Sequence, residues 1–448
     1  MLPPFGVVAE FLKNRDDIIT STAASIMELG SISASFCERG RLQLFTPIRD
    51  GGFGLRHYEE LSYAAHWASW VDSATVFYKV RQTLPLYDKF IESVQLAQHG
   101  LSIRRLQDCC WYLEQRGYQQ YSWQDMCSGA NRPLPDEDDS LDVTDAGFWT
   151  TGWQNQASKA LISYDRSRLM QLSNPEESAV IESSCGPMSR WLIAVPKSED
   201  LCLDNASFLT GLRRRFSKSV PTCPGPCAAN CTVIPDARGH HRATCNKTGF
   251  FVRRHYTMAN VWERVFILAG GRVQTEVMLS DTCIARHVPS DDARRMDLVV
   301  HGIPTLFAGR PLFCDVTVLS PVSGTGEPRF NSDTDQGAVL LRETERKTTH
   351  YAEVANSEDV RWMVLGHEVY GFSTKEVKVL VRKLAEHKSK GTNLLARRAA
   401  QILWSIRFWD MLACTLIRSM AQHYVPGDSS GRRSSYVHQA APYLEDLM

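Results

Sequence analysis

Asp297, Asp315 and Lys347 are the residues of this chain best suited to chemistry on a phosphodiester. Each aspartate stands in a short apolar, β-branched run: Met296-Asp297-Leu298-Val299-Val300 and Phe313-Cys314-Asp315-Val316-Thr317-Val318. Turn residues bound both runs, so both read as buried strands. An ionised carboxylate is costly to bury unless it is paired or binds a metal. Two at neighbouring strand ends suit a divalent cation, because Mg²⁺ takes one or two carboxylates and leaves room for phosphate oxygens. A cation held in this way activates water and neutralises charge on a phosphodiester. Spacing alone also allows two aspartates in surface turns. It likewise allows Lys347 to be a solvated charge in the run Arg342-Glu343-Thr344-Glu345-Arg346-Lys347.

A second constellation is richer in metal donors. Cys223-x3-Cys227-x3-Cys231 precedes Asp236-x2-Gly239-His240-His241-x3-Cys245, and Arg253-Arg254-His255 follows. Zn²⁺ takes four tetrahedral sulfur or nitrogen ligands from two short-spaced pairs. Cys227 with Cys231 and His241 with Cys245 supply such pairs, with Cys223, His240 and His255 as spare candidates. The segment has little apolar periodicity, and a structural zinc contributes on the order of 10 kcal/mol to ordering a segment of that kind. Clustering in so polar a stretch weighs against unpaired thiols and surface histidines.

The remaining composition sets the context. A chain of 448 residues is long enough for two to four domains. Lys+Arg and Asp+Glu both total 50, so net charge gives no hint of a partner, but its distribution does. Between Asp204 and Arg264 there are ten basic residues against three acidic ones, an excess of seven that suits phosphate binding. Arg213, Arg214, Arg215, Arg253 and Arg254 are the candidate nucleic-acid contacts. No apolar run approaches the roughly 18 residues that cross a bilayer. The first residues lack a signal-peptide pattern, and thirteen cysteines, mostly scattered singly, argue for a reducing compartment. We therefore expect a nuclear or cytoplasmic protein that is not secreted and has no membrane partner.

The elements that must position these residues read as mostly helical up to about residue 128. Leu61, Ala64, Ala65, Ala68 and Val71 share one helical face there, after a turn at Gly51-Gly52-Phe53-Gly54. The Pro-, Gly- and Asp-rich stretch 129–150, with Asp136-Glu137-Asp138-Asp139, reads as an exposed acidic linker. Residues 153–218 read as helical again, and 257–385 as helix, strands and helix. A long helix over 394–424 carries an apolar stripe from Leu395 to Met420 that reads as core or interface.

In this order the motifs resemble the C-terminal part of the polyprotein of non-LTR retrotransposons that carry a restriction-like endonuclease. Asp50-Gly51-Gly52-Phe53-Gly54-Leu55-Arg56, with Ala64-Ala65-His66-Trp67-Ala68-Ser69-Trp70 after it, is similar to the segment directly behind the family's reverse transcriptase core. Phe208-Leu209-Thr210-Gly211-Leu212-Arg213-Arg214-Arg215 resembles the approach to its zinc knuckle, and Asp236-x2-Gly239-x-His241-x3-Cys245 with Arg254-His255 resembles the knuckle and its tail. Asp297, Asp315-Val316-Thr317-Val318 and Lys347-x3-Tyr351 resemble the endonuclease signature.

The resemblance implies a mixed α+β and α/β chain. Its parts are a helical N-terminal segment (1–128), the acidic linker (129–150), a helical connector (151–220), a zinc knuckle (221–256), a PD-(D/E)XK-like core with a mixed sheet flanked by helices (257–386), and a C-terminal helix and tail (387–448). It also implies Mg²⁺ on Asp297 and Asp315, assistance from Lys347 and Tyr351, and Glu276 as an extra acid near the end of the preceding helix. The usual lysine position, two residues after the second acid, is Thr317 here. The family's lysine lies on the following helix, where Lys347 matches it. Met296 stands where the family usually has proline, a departure expected to loosen the turn presenting Asp297. No aromatic-x-Asp-Asp polymerase motif is found, so a separate reverse transcriptase is the implied partner beside DNA and the RNA of a parent element. Two other classes fit less of the sequence: a catalytically dead nucleic-acid-binding remnant, and a host interaction protein using the N-terminal helices and the long C-terminal helix.

Overall fold

A computed structural model describes residues 5–27, 38–96, 100–129, 152–220, 227, 231–303, 307–422 and 424. The linker expected over 129–150 lies outside the described residues apart from Gly129, and Cys223 lies outside them too. The chain is α+β, and it divides into two compact units, Met1–Pro47 with Gly52–Ser173 and Ile48–Gly51 with Asn174–Met448. This differs from the six segments read from the sequence. The connector expected over 151–220 is split, because its first helix belongs to the first unit and the rest to the second.

The first unit is helical: α1 (Phe5–Ile26), α2 (Glu38–Phe45), α3 (Tyr58–Lys79), α4 (Leu86–Gln95), α5 (Leu101–Gln115), α6 (Trp123–Ser128) and α7 (Trp153–Gln171). Helix α3 is its axis, and the small residues Ala64, Ala68 and Ala74 on its buried face let its neighbours approach closely. Trp67 fills the centre, edge-on to Tyr118 and Trp153 with ring centroids 5.0 and 6.1 Å away. The N-terminus of α3 is capped in trans, because the amides of Tyr58 and Glu59 donate to the two carboxylate oxygens of the fully buried Asp16. An acid at that end satisfies orphan amides and suits the helix dipole.

The second unit begins at α8 (Pro175–Ser183), whose Asn174 and Glu177 form a reciprocal capping box. It continues through α9 (Asn205–Arg215), α10 (His240–Thr244) and α11 (Phe250–Leu268) into β1 (Arg272–Met278), β2 (Arg295–His301) and β3 (Leu312–Leu319). Then come α12 (Ala338–His350), α13 (Ala352–Ala355), β4 (Arg361–Glu368), α14 (Lys375–Ser389) and α15 (Arg397–Ala421). The sheet order is β1-β2-β3-β4, antiparallel through β3 and parallel between β3 and β4. A parallel pair needs a long crossover, which α12 and α13 provide.

Burial tracks position in the sheet. β3 is buried at every residue but its last, which is why it reads as a continuous apolar run, whereas the edge strand β1 is largely exposed and polar. A Cβ on Gly366 would meet Leu340 of α12, while the neighbouring His367 accepts a hydrogen bond from Trp262 of α11. Successive strand residues face opposite ways, so α11 and α12 flank β4 on opposite faces. The apolar stripe of α15 is core in its second half: Trp409, Leu412, Leu416 and Met420 are buried, whereas Leu403 is exposed and Leu395 precedes the helix and is exposed; Asp410 pairs with Arg190 at 2.7 Å.

His367 is fully buried between Trp262 Nε1 at 2.9 Å and Ser373 Oγ at 2.8 Å. Because Nε2 accepts from the indole, Nδ1 carries the proton and donates to Ser373. Burial pushes the imidazole pKa down from 6.5 to about 3. As pH falls below 6.5 the unfolded chain takes up a proton there that the folded chain refuses until about pH 3, so the contribution of this group to stability falls across that window. Urea unfolding between about pH 7 and about pH 4 should show this component in the wild type. In His367→Gln the same slope should be missing.

Candidate functional site

The ladder between β2 and β3 runs from Val300↔Leu312 to Leu298↔Cys314 and stops. One step further in the same register sets Asp297 opposite Asp315, at the point where the two strands part. The Val316 amide, beyond the end of the ladder with β2, donates to Asp297 Oδ2 at 2.6 Å. Asp315 lies in the middle of β3 rather than at a strand end, and it is 3% exposed. Its Oδ2 accepts from Lys347 Nζ at 2.9 Å and its Oδ1 from Thr317 Oγ1 at 3.2 Å. Burial pushes the Asp315 carboxyl pKa up, and the Lys347 ammonium draws it part of the way back. Lys347 comes from α12, the helix after β3, so the two aspartates and the lysine picked out in the sequence share one corner of the sheet.

Three neighbours depart from what the sequence suggests. Glu276 lies on β1, not at the end of a helix, because Gly270, at φ +101°, ends α11 and the polar–apolar alternation from Arg272 then forms an edge strand. The pairs Thr275↔Leu298 and Val277↔Met296 set Glu276 across from Asp297. Met296 does not loosen a turn. It is a fully buried strand residue paired with Val277, where proline would remove a ladder donor. Tyr351 caps the end of α12, buries its ring beside Trp362, and donates from Oη to the Arg295 carbonyl at 3.0 Å. That ties the helix carrying Lys347 to the strand carrying Asp297, so Tyr351 positions rather than reacts.

His255 was a spare candidate for the cysteine cluster, but the structure turns it the other way. Its Nε2 lies 3.3 Å from Asp297 Oδ1, with the two side chains 28% and 14% exposed. The hydrogen bond to Asp297 is the main cause that raises its pKa above the ordinary histidine value. Donor atoms of His255, Glu276 and Asp297 all lie within 4.8 Å of one another. No motif spacing announces this trio, because its members come from a helix and two strands.

The cysteine cluster closes as its spacing predicts. One donor atom each of Cys227, Cys231, His241 and Cys245 lies within 4.8 Å of the others, a Cys3His set that could hold a metal ion. Cys231 Sγ is 3.4 Å from His241 Nε2 and 3.9 Å from Cys245 Sγ. Asp236 aims the histidine: its carboxylate accepts from the His240 and His241 amides at 3.1 and 2.8 Å, starting α10. Gly239, at φ +77°, makes the turn before it against the Tyr424 ring. His240 is not a fourth-ligand competitor. Its Nε2 lies 2.8 Å from Glu176 Oε1 and its Nδ1 3.4 Å from Tyr370 Oη.

The arginines require a correction. Arg214, Arg215 and Arg254 are 4%, 2% and 1% exposed, so they cannot grip phosphates. Arg214 donates to Tyr424, and Arg215 donates to Ser189 Oγ at 2.7 Å and to the Ile48 carbonyl at 3.3 Å. Arg254 donates to the Ala243 carbonyl at 2.9 Å and the Val318 carbonyl at 3.4 Å, bolting the Cys3His module to β3. Arg213 is half-buried, and Arg253 is exposed at the start of α11, as is nearby Lys247. Much of the local basic excess is therefore internal. Among the described residues, no helix is long and apolar enough to cross a membrane.

No family model matches this chain, and no curated protein matches it.

A buried guanidinium with carbonyl partners leaves those partners unsatisfied when it is removed. Arg254→Ala is expected to cost about 3 kcal/mol of stability, and Arg253→Ala about 0.5 kcal/mol or less, by denaturant unfolding of the two variants.

Proposed function

We propose that this chain is a metal-dependent DNA endonuclease with a zinc-bound structural module, of the restriction-like kind that its resemblance to non-LTR retrotransposon polyproteins implies. The observation that carries the reading is the convergence of Asp297, Asp315 and Lys347, with Lys347 Nζ 2.9 Å from the buried Asp315 carboxylate. A buried ion pair of this sort contributes little net stability, so its occurrence beside a second carboxylate is more informative about chemistry than about folding. The mixed sheet with a helix on either face supports a PD-(D/E)XK-like arrangement.

In this reading Asp297 and Asp315 would hold Mg²⁺, and the donor type fits it: two carboxylates where two strands part. The ion supplies charge neutralisation on the phosphodiester and a lowered pKa for its bound water. Lys347 orients the attacking water and stabilises the charge that develops on the phosphoryl oxygens. Val316 N and Thr317 Oγ1 fix the two carboxylates, and Tyr351 fixes the spacing of α12 from β2. A nick in target DNA would leave an end that primes reverse transcription by a polymerase on another chain. The Cys3His set suits Zn²⁺, whose tetrahedral preference matches four soft donors.

Each competing class loses part of its support. A dead nucleic-acid-binding remnant relied on the zinc module and five arginines, three of which are buried. A host interaction protein relied on the N-terminal helices and on α15, most of whose apolar stripe is buried.

Supercoiled plasmid with Mg²⁺ tests the catalytic claim. Nicking by the wild type, reduced about 100-fold or more in both Asp315→Ala and Lys347→Met, is the expected result. Folded, metal-replete protein that binds plasmid without nicking it would overturn the claim in favour of the remnant. Independently, elemental analysis should find about one zinc per chain, absent from Cys245→Ser, and chelation should lower the unfolding temperature of the wild type.

A further inference from the structure

We propose that His255, Glu276 and Asp297 form a mixed nitrogen–oxygen site that takes Mn²⁺ in preference to Mg²⁺, with His255 as a direct ligand. The proposal takes the cation of the nuclease reading one step further, and it rests on that reading only for what the ion does.

The geometry is that of one cation with three donors. One donor atom each of His255, Glu276 and Asp297 lies within 4.8 Å of the others, and ligands on one octahedral ion are separated by about 3 Å when adjacent and about 4.2 Å when opposite, for bonds near 2.1 Å. Each donor is presented from a different element, and the helix of His255 and the carboxylate of Asp297 are each held by contacts outside the trio. α11 is anchored one residue earlier by the buried Arg254, which sets the direction in which His255 leaves the helix. Asp297 has its Oδ2 engaged by the Val316 amide at 2.6 Å, leaving Oδ1 turned to His255. Glu276 stands across the strand pair from Asp297, where two like charges repel unless a cation lies between them. The hydrogen bond that orients Asp297 is of the kind that tunes a metal site.

The donor types select the ion. Mg²⁺ is a hard cation that prefers carboxylate, phosphate and water oxygens, whereas imidazole favours first-row transition ions. One imidazole with two carboxylates suits a six-coordinate ion that accepts both donor types, and Mn²⁺ does. Glu276 is exposed and the other two are partly so, leaving coordination positions open to water and to a phosphate oxygen. This site shares Asp297 with the Asp297–Asp315 pair of the nuclease reading, whose Asp315 keeps its Lys347 partner.

The test is electron paramagnetic resonance of Mn²⁺ titrated into the full-length, zinc-loaded chain, with electron spin-echo detection of nitrogen coupling. Expected are Mn²⁺ binding at least about tenfold tighter than Mg²⁺ by competition, and a directly coupled imidazole nitrogen. In His255→Gln the coupling should vanish and the Mn²⁺ preference fall by about tenfold. The exposed Glu276→Gln, which threatens no core, should weaken Mn²⁺ binding and keep the coupling. Mn²⁺ bound without nitrogen coupling, or with coupling and affinity untouched by His255→Gln, overturns the proposal. Asp315-dependent nicking without nitrogen coupling would remove this site and leave the nuclease. Coupling in a protein that never nicks DNA would do the reverse.

Discussion

One buried guanidinium holds the second unit in register. Arg254 has lost almost all contact with water, and burial, with the nearby Arg214 charge, pushes its pKa down to about 10, so it stays charged at neutral pH and must be solvated by the protein. Two carbonyls do so, one from the helix of the Cys3His module and one from the central strand β3. Its Nε has no hydrogen-bond partner, and a buried donor left this way costs about 1–3 kcal/mol. A fold that tolerates this cost needs the arginine's reach more than its stability. A shorter side chain on α11 could not touch both carbonyls, and the direct tie between the module's helix and β3 would be lost.

The second constraint is the parting of β2 and β3. Antiparallel strands that stay paired leave no room for a side chain to bond a neighbour's amide. Here the ladder ends after Leu298↔Cys314, and the carboxylate of Asp297 takes the place of the missing backbone acceptor for Val316. The chain thus satisfies its backbone with an acid and keeps that acid at the rim of the sheet. Cys314, on the opposite face of the same strand, is fully buried, and its thiol is held well above its ordinary pKa, so no further negative charge develops there. The low-dielectric strand, the lysine on Asp315 and the partly exposed Asp297 make an asymmetric pair of carboxylates, one dry and paired, the other accessible.

What could be read in the sequence follows from how local each signal is. The acid-bearing strands were legible because burial on both faces writes a continuous apolar run, and the Cys3His set because its ligands come in short-spaced pairs. The α15 stripe was legible as a helix with a buried face. Glu276 was misplaced on a helix because the Gly270–Gly271 stop, clear in the backbone, is one weak residue pair in the sequence. Charge counting failed for Arg214, Arg215 and Arg254 because it cannot tell a guanidinium solvated by water from one solvated by carbonyls. Their apolar neighbours Leu212 and Phe216 were the available warning. His255 was assigned by proximity in sequence to the cysteines, yet its partners lie on β1 and β2, and only the tertiary path of α11 connects them.

That path gives the two metal-ligand clusters a common mechanical element. Consecutive residues on a helix point about 100° apart, so Arg254 and His255 necessarily address different surroundings: the Cys3His module and β3 on one side, the sheet end on the other. Anything that orders the module fixes the start of α11 through the Ala243 carbonyl, and with it the aim of the imidazole at Asp297. Burial of Trp262 and Phe266 pins the other end of the helix in the core, so the helix cannot turn to compensate. In the proposed reading, zinc is then more than a staple for a segment with little core of its own. By ordering the module it would set the position of the imidazole beside Asp297, which joins the cysteine cluster mechanically to a corner of the sheet to which it contributes no group.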